Sequence, residues 1–248
     1  MQLKIATYNI LHGVDYVPYK NGTTRINLEQ IADVIGAQNV DICGLNEVDW
    51  NCKRSEYLNE PYQIAKHLTE KTGVKYHWAF AAGLMNHHGP GSQYGNAIVS
   101  RYPMQNVREI SIDAGVGRGG GYEPRSLLVV DMEIDGKMLT VMNSHFGLTD
   151  KEKRIVIEKL RELIPANPYP VVLMGDFNFW PTEEYYADIA ALLKDTSEDP
   201  ALPLTFPSTE PNSKIDFIFT SESLKTSNVR VEPVLYSDHL PLLCDITW

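Results

Sequence analysis

The sequence predicts an α/β fold, and three observations carry that reading. Short apolar runs such as VVLM at 171–174 are too brief for free-standing helices and end in glycine or polar residues, as buried strands do. Stretches with apolar residues at helical spacing lie between such runs. The dipeptide Asp135-Gly136 joins two further apolar runs in the manner of a two-residue hairpin. No repeat, linker or low-complexity tract interrupts the 248 residues, so one domain over 1–248 is expected.

Residues 3–10 alternate and are rich in β-formers, giving a strand that ends at Asn9, then a loop with Gly13, Pro18 and Gly22. From Arg25 to Gln38, Ile26, Leu28, Ile31, Ala32, Val34 and Ile35 recur at helical spacing. A strand over 41–48 ends in Asn46 and Glu47. A helix over 61–72 and a strand over 75–81 follow, and 82–95 reads as a glycine-rich loop carrying Asn86, His87 and His88. Strands over 96–100 and 105–112 flank Arg101, Tyr102 and Pro103. A second loop, DAGVGRGGGYEP at 113–124, has the glycine content of a mobile segment and precedes Arg125, which opens the strand SLLVVDMEI. After the Asp135-Gly136 turn, MLTVMNSHF carries His145 at its far end. Residues 151–164 are amphipathic with mixed charges, as in a helix lying on a sheet. The remainder reads as a short helix near 182–193, a proline-rich passage to Asn212, the strand KIDFIFT, a strand near 229–234, the tripeptide SDH and a last strand over 242–248.

A net charge of −10 argues against broad attraction to a nucleic-acid backbone, which normally comes from Lys and Arg. No apolar run is long enough to span a membrane. Cys43, Cys52 and Cys244 are too few, and odd in number, for a disulfide framework, so a reducing compartment is expected. The segment MQLKIATYNIL shows no basic n-region, long apolar h-region or small-residue cleavage site, and a cytoplasmic location follows as the expectation.

The stretch VVLMGDFN at 171–178 delivers a carboxylate and an amide to the end of a strand. If the chain stays extended through Phe177, Asp176 and Asn178 leave on one side and Phe177 points to the core. The octapeptide fits equally a strand followed by an Asx turn. Asn9, Glu47, Arg125, His145, Asp216, Asp238 and His239 likewise end or open apolar strands. Hard cations such as Mg²⁺ take oxygen ligands, which Glu47 and Asp238 could supply. Two histidines beside acids suit proton transfer near neutral pH.

TYNI at 7–10, LNEV at 45–48, GNAIVSRYP at 95–103, EPR at 123–125, NSHF at 143–146, GDFN at 175–178, KIDFIF at 214–219 and SDHLP at 237–241 resemble, in order, the motifs of the endonuclease/exonuclease/phosphatase (DNase I-like) family. The resemblance spans the chain. It implies a four-layer α/β sandwich, two packed mixed β-sheets flanked by helices, and a divalent-metal-dependent phosphoesterase using Mg²⁺ or Mn²⁺, with one or two ions. It makes Glu47 the principal metal ligand, assisted by Asn9 and Asp238. Asp176 would orient or deprotonate the attacking water, and Asn178 would hold a phosphate oxygen or that water. His239, oriented by Asp216, would stabilise phosphoryl charge, while His145 and Arg125 would offer donors or a leaving-group proton. Asn46 stands where many members have glutamine, a departure expected to leave the metal ligands untouched.

The family includes nucleases, phosphatases, sphingomyelinases and small-molecule phosphodiesterases. The loops after Gly83 and Asp113 are rich in glycine rather than basic residues, and no apolar hairpin for a membrane is evident, so a small or lipid-derived phosphodiester leads. A nuclease is the alternative, and a cationic groove from Arg101, Arg118 and Arg125 would favour it. A catalytically silent binding scaffold, the reading from another class, predicts loss of a ligand, yet every motif position keeps a competent residue. Arg125 has a plainer reading as an ion pair with Glu123 or Asp131. His87 and His88 read as solvated loop residues, Tyr94 as a packed residue that could also place a phosphate, and His12, His67 and His77 as structural. Trp50, Tyr122 and Trp180 adjoin motif residues and could rim an apolar leaving group, although packing is the commoner role. Oligomeric state is not legible.

Overall fold

The computed structural model describes residues 2–113, 115 and 122–248. In chain order the elements are β1 (Gln2–Asn9), α1 (Tyr16–Lys20), α2 (Leu28–Ala37), β2 (Ile42–Trp50), α3 (Glu60–Thr72), β3 (His77–Met85), β4 (Gln93–Ser100), β5 (Gln105–Ile112) and β6 (Arg125–Ile134). There follow β7 (Lys137–Ser144), α4 (Asp150–Ala166), β8 (Val171–Asp176), α5 (Glu184–Ala190), β9 (Lys194–Asp195), β10 (Asp216–Thr220), β11 (Lys225–Val231) and β12 (Leu242–Thr247). Two six-stranded sheets form, in the orders β11-β12-β1-β2-β4-β3 and β5-β6-β7-β8-β10-β9. Each is mixed, because β1–β2 and β7–β8 pair in parallel and the other neighbours are antiparallel.

The sheets pack face to face because their strands are apolar on both sides. Leu3, Ile5, Ile42 and Ile98 of one sheet meet Leu128, Val130, Val141 and Val172 of the other in the central layer. The outer face of the first sheet buries Tyr8, Leu45 and Val48 under Ile31 and Ile35 of α2 and Ile64 and Leu68 of α3. The outer face of the second buries Phe146, Phe177, Phe179, Phe217 and Phe219 against Val156 and Leu160 of α4. This is the expected four-layer sandwich. Each aromatic so buried contributes on the order of 2–3 kcal/mol.

Several boundaries differ from expectation for local reasons. The helix expected from Arg25 begins at Leu28, because Asn27 accepts from the Gln30 N–H as its cap. Residues 82–95 are mostly hairpin rather than loop: β3 and β4 pair as far as Met85 and Gln93. The glycines there serve close approach, since a Cβ on Gly95 would lie 2.0 Å from the Ala81 carbonyl oxygen. Pro18 lies within α1 instead of a loop. The two-residue strand β9 is unforeseen, and β11 starts four residues before the expected 229, its polar edge residues hiding the period. Most of the second glycine-rich loop, with Arg118, lies outside the described residues. No helix among the described residues is long and apolar enough to cross a membrane.

Candidate active site

Strand register brings the polar ends of both sheets together. Thr7, near the end of β1, pairs with Leu242, which opens β12 just after Asp238 and His239. Asp176 at the end of β8 pairs directly with Asp216 at the start of β10. His145 follows β7, the parallel neighbour of β8. Arg125 opens β6, which runs antiparallel to β7.

Glu47 reaches this end by a different route. It lies inside β2 at a bulge, where Leu45 pairs with Ala97 but Val48 with Gly95, so β2 carries one extra residue. That residue is left-handed, with φ of 56°. The bulge turns its carboxylate toward Asn9, whose Nδ2 donates to Glu47 Oε1 at 3.0 Å and to Asp176 Oδ2 at 3.0 Å. Asn9 Oδ1 accepts from the Leu11 N–H, and the amide braces two carboxylates. Glu47 therefore does not close a strand, as its position in LNEV suggests.

Asp176 is the centre of the cluster. His145 Nε2 lies 3.4 Å and His239 Nε2 3.6 Å from its Oδ2. Burial raises its pKa to about 7, with Asp216 adding to the rise and His239 and Asn9 opposing it. Burial pulls His239 down, but the Asp216 carboxylate 2.8 Å from Nδ1, and then Asp176, outweigh it and hold the ring up at about 10. His239 is thus an imidazolium at neutral pH. Burial, then the charges of Arg125 and His239, push His145 well below the ordinary histidine range. Arg125 Nη1 lies 3.1 Å from His145 Nδ1. A guanidinium only donates, so Nδ1 accepts and the ring proton belongs on Nε2, the nitrogen facing Asp176.

The segment 176–178 is not extended. Asn178 is left-handed, with φ of 50°, and its N–H donates to Asp176 Oδ1 at 3.0 Å. The Asx turn and the site coexist, because the turn carries Asn178 Nδ2 to the Phe146 carbonyl at 3.0 Å and to within 2.9 Å of His145 Nε2. Gly175 precedes this turn with φ of 145°, and a Cβ there would lie 1.9 Å from the Ser144 carbonyl oxygen. Asp238 is partly buried, accepts from Ser237 Oγ at 3.2 Å, and its charge adds to the raised pKa of Glu47.

The model of the Endonuclease/Exonuclease/phosphatase family matches residues 6–239. The chain belongs to that family. Escherichia coli (strain K12) has a relative, the uncharacterised protein YbhP, which is 26% identical over 255 residues, covering 98% of this chain and 95% of that protein. A solved endonuclease/exonuclease/phosphatase from Beutenbergia cavernae superposes with a TM-score of 0.80 at 24% identity, over 99% of this chain and 71% of that one. The mannosyl-6-phosphatase of Bacteroides thetaiotaomicron superposes with a TM-score of 0.72 at 19% identity, over 99% of this chain and 99% of that one. At these identities the structures share the fold.

Within this endonuclease/exonuclease/phosphatase fold, several features were not foreseen from sequence. Asn46 Oδ1 accepts from the Asp176 N–H at 3.0 Å, and its Nδ2 donates to Asn96 at 2.8 Å and Asn143 at 3.3 Å. Asn143 in turn donates to the Leu45 and Ala97 carbonyls across the sandwich. These buried amides join the two sheets beneath the site. The signal was present as an asparagine in each of LNEV, GNAIV and NSHF. Arg125 pairs with Glu123 at 3.0 Å, its plainer reading, while its Nη1 also meets His145 Nδ1. Buried Tyr94 lies beside Arg125 and carries the Arg54 guanidinium over its ring at 5.2 Å. Arg54 makes a bidentate pair with Asp49, at 2.8 and 2.9 Å, and Asp49 is fully buried.

Other residues stay apart from the cluster. Arg101 is bonded to Asp41 at 3.1 Å and Tyr76 at 2.9 Å, and Asp41 also takes the Lys4 N–H toward the opposite end of β1. Arg101 and Arg125 therefore form no common groove. Trp50 packs edge-on to Trp78 and Phe80, the structural role. His12 lies in a turn anchored through Asn9, with burial and then Arg54 lowering its pKa to about 4. His67 faces Glu29 on the helical layer at 4.0 Å.

The residues present suit a hard cation. Burial, with Asp238 beside it, raises the Glu47 carboxyl pKa, a strain that a divalent cation between oxygen donors would relieve. Asp176, Asp216 and His239 also bring one donor atom each within 4.8 Å of one another, and Asp216 Oδ1 is buried without a partner among the described residues. There His239 Nδ1 is engaged by Asp216, so the two carboxylates are the oxygen donors of that group. Glu47 and Asp238 are a second set of oxygen donors, linked by the charge of Asp238 on the Glu47 carboxyl.

Proposed function

We propose that the chain hydrolyses a phosphodiester by in-line attack of water, with Mg²⁺ or Mn²⁺ held by Glu47 and Asp238 and braced by Asn9. The observation that carries this reading is the convergence of Asn9, His145 and His239 on the one oxygen Asp176 Oδ2. A base, a neutral donor and a charged donor then surround one small volume. Asp176, with its pKa near neutrality, takes the proton of the attacking water. His239, kept charged by Asp216, donates to a phosphoryl oxygen as negative charge builds there. His145, its tautomer fixed by Arg125 so that Nε2 carries the proton, donates to a second phosphoryl oxygen. When bound, the cation supplies Lewis-acid stabilisation of phosphoryl charge.

A small or lipid-derived phosphodiester is favoured over nucleic acid. The net charge is −10, and Arg101 is committed away from the site. The test is hydrolysis of bis-p-nitrophenyl phosphate, a p-nitrophenyl monoester, glycerophosphodiesters, abasic duplex DNA and short RNA, with Mg²⁺, Mn²⁺ or EDTA. Metal-dependent turnover of the diesters that disappears in Asp176→Asn is expected. Metal binding without turnover of any of them would overturn the reading in favour of a binding scaffold.

A further inference from the structure

Leu148 and Trp180 are 60% and 56% exposed, unusual for large apolar side chains on short, well-anchored loops. Leu148 lies three residues beyond His145 and Trp180 two beyond Asn178. The two loops are tied to each other at the site. Asn178 Nδ2, beside His145 Nε2, donates to the Phe146 carbonyl, and Lys153 of α4 reaches Glu183 at 3.9 Å. Glu183 in turn accepts from the Trp180 N–H at 2.7 Å. Beneath them Phe146, Phe177 and Phe179 are buried and mutually packed, with ring centroids 4.4 to 5.8 Å apart. Leu148 and Trp180 are therefore not spare core residues. The Trp180 backbone is held by Glu183, and both side chains stand exposed on the two loops that follow His145 and Asn178.

We propose that Trp180 and Leu148 form a subsite for an apolar alkyl or aryl group esterified to the phosphorus, so that the enzyme prefers phosphoesters with such a group. The subsite rests on the phosphoesterase reading for its neighbour, the phosphate position beside His145. An apolar group lying over these exposed side chains would remove apolar area from water, which favours its binding. No apolar hairpin is needed for this; two loop side chains suffice.

Binding can be read without turnover. Wild type minus Trp180→Phe difference fluorescence, with Mg²⁺, is titrated with n-hexyl phosphate and with glycerol 3-phosphate. Hexyl phosphate is expected to bind about tenfold or more tightly, with a blue shift of Trp180 emission. That preference should fall to near unity in Trp180→Ala, fall partly in Leu148→Ser, and survive in Trp180→Phe by competition against a chromogenic diester. Equal affinities in wild type, or a preference unchanged in Trp180→Ala, would overturn the subsite. So would a shift seen only with phosphatidylcholine vesicles, which would assign the two side chains to a lipid surface. If hexyl phosphate binds selectively but bis-p-nitrophenyl phosphate is not hydrolysed, the subsite stands and the phosphoesterase reading falls.

Discussion

Asp176 and Asp216 stand directly opposite each other in the antiparallel β8–β10 pair, and His239 lies against both carboxylates. Like charges in that relationship repel. An imidazolium 2.8 Å from Asp216 and 3.6 Å from Asp176 offsets the repulsion and splits the two acids into different roles. Asp216 keeps His239 charged, whereas burial leaves Asp176 with a pKa of about 7, which suits the base proposed for the reaction.

The first prediction concerns His239. Its folded pKa, about 10, lies above the ordinary value of 6.5, so its charge stabilises the fold below that ordinary value. The contribution is lost as pH rises through about 10. An NMR titration of the His239 ring should show a midpoint far above the other histidines. In Asp216→Asn the midpoint should move down toward or below the ordinary range, and the alkaline limb of the activity profile should move with it.

Asp176→Asn should lower kcat by about 10²- to 10⁴-fold, the usual contribution of a positioned general base. The same change removes a buried carboxylate whose raised pKa disfavours folding progressively as pH climbs from the carboxylate range to about 7. Thermal melts should therefore place the variant above wild type at pH 8 and close to it at pH 4. A lower melting point at pH 8 would contradict this account.

Asp49 is fully buried, and Arg54 is its cation. Arg54→Met leaves that carboxylate unpaired and should destabilise by about 3–5 kcal/mol in urea unfolding. Asp49→Asn combined with Arg54→Met should recover much of the loss. Because Arg54 also covers the Tyr94 ring beside Arg125, the double variant should show a raised KM with kcat nearly retained.

Asn46→Leu removes an acceptor from the Asp176 N–H and a donor from Asn96 and Asn143. Leaving those groups buried and unpaired should cost about 1–3 kcal/mol. Activity should fall as well, since Asp176 loses a backbone anchor. Calorimetry and steady-state kinetics on one preparation check both effects.

The α/β class was legible because the strands are short, apolar and separated by helices of clear period, whereas the four-layer arrangement followed from the resemblance of the ordered motifs. Strand ends were less legible where glycine signalled close approach instead of a turn, as at Gly95, or where an edge strand such as β11 exposes polar residues. The candidate site was legible as residue types at strand ends. Its internal division of labour was not. Nothing in LNEV shows that Asn46 bonds across to the other sheet while Glu47 occupies a bulge, because both depend on pairing with β4 and on β7 and β8 from far along the chain. The coexistence of an Asx turn with a functional Asp176 was likewise hidden, the two readings being exclusive only if the chain stays extended.

In an unbroken pleat Glu47 would share the helix-facing side of β2 with Leu45. The extra, left-handed residue frees it, and Val48 resumes that side as though residue 47 had not been there. The acid is thus an addition to the strand and not an exchange within it. Excising residue 47 would close the bulge, leave every other side chain of β2 on its own face and preserve the sandwich. The scaffold and its chemistry are separable at a single peptide unit.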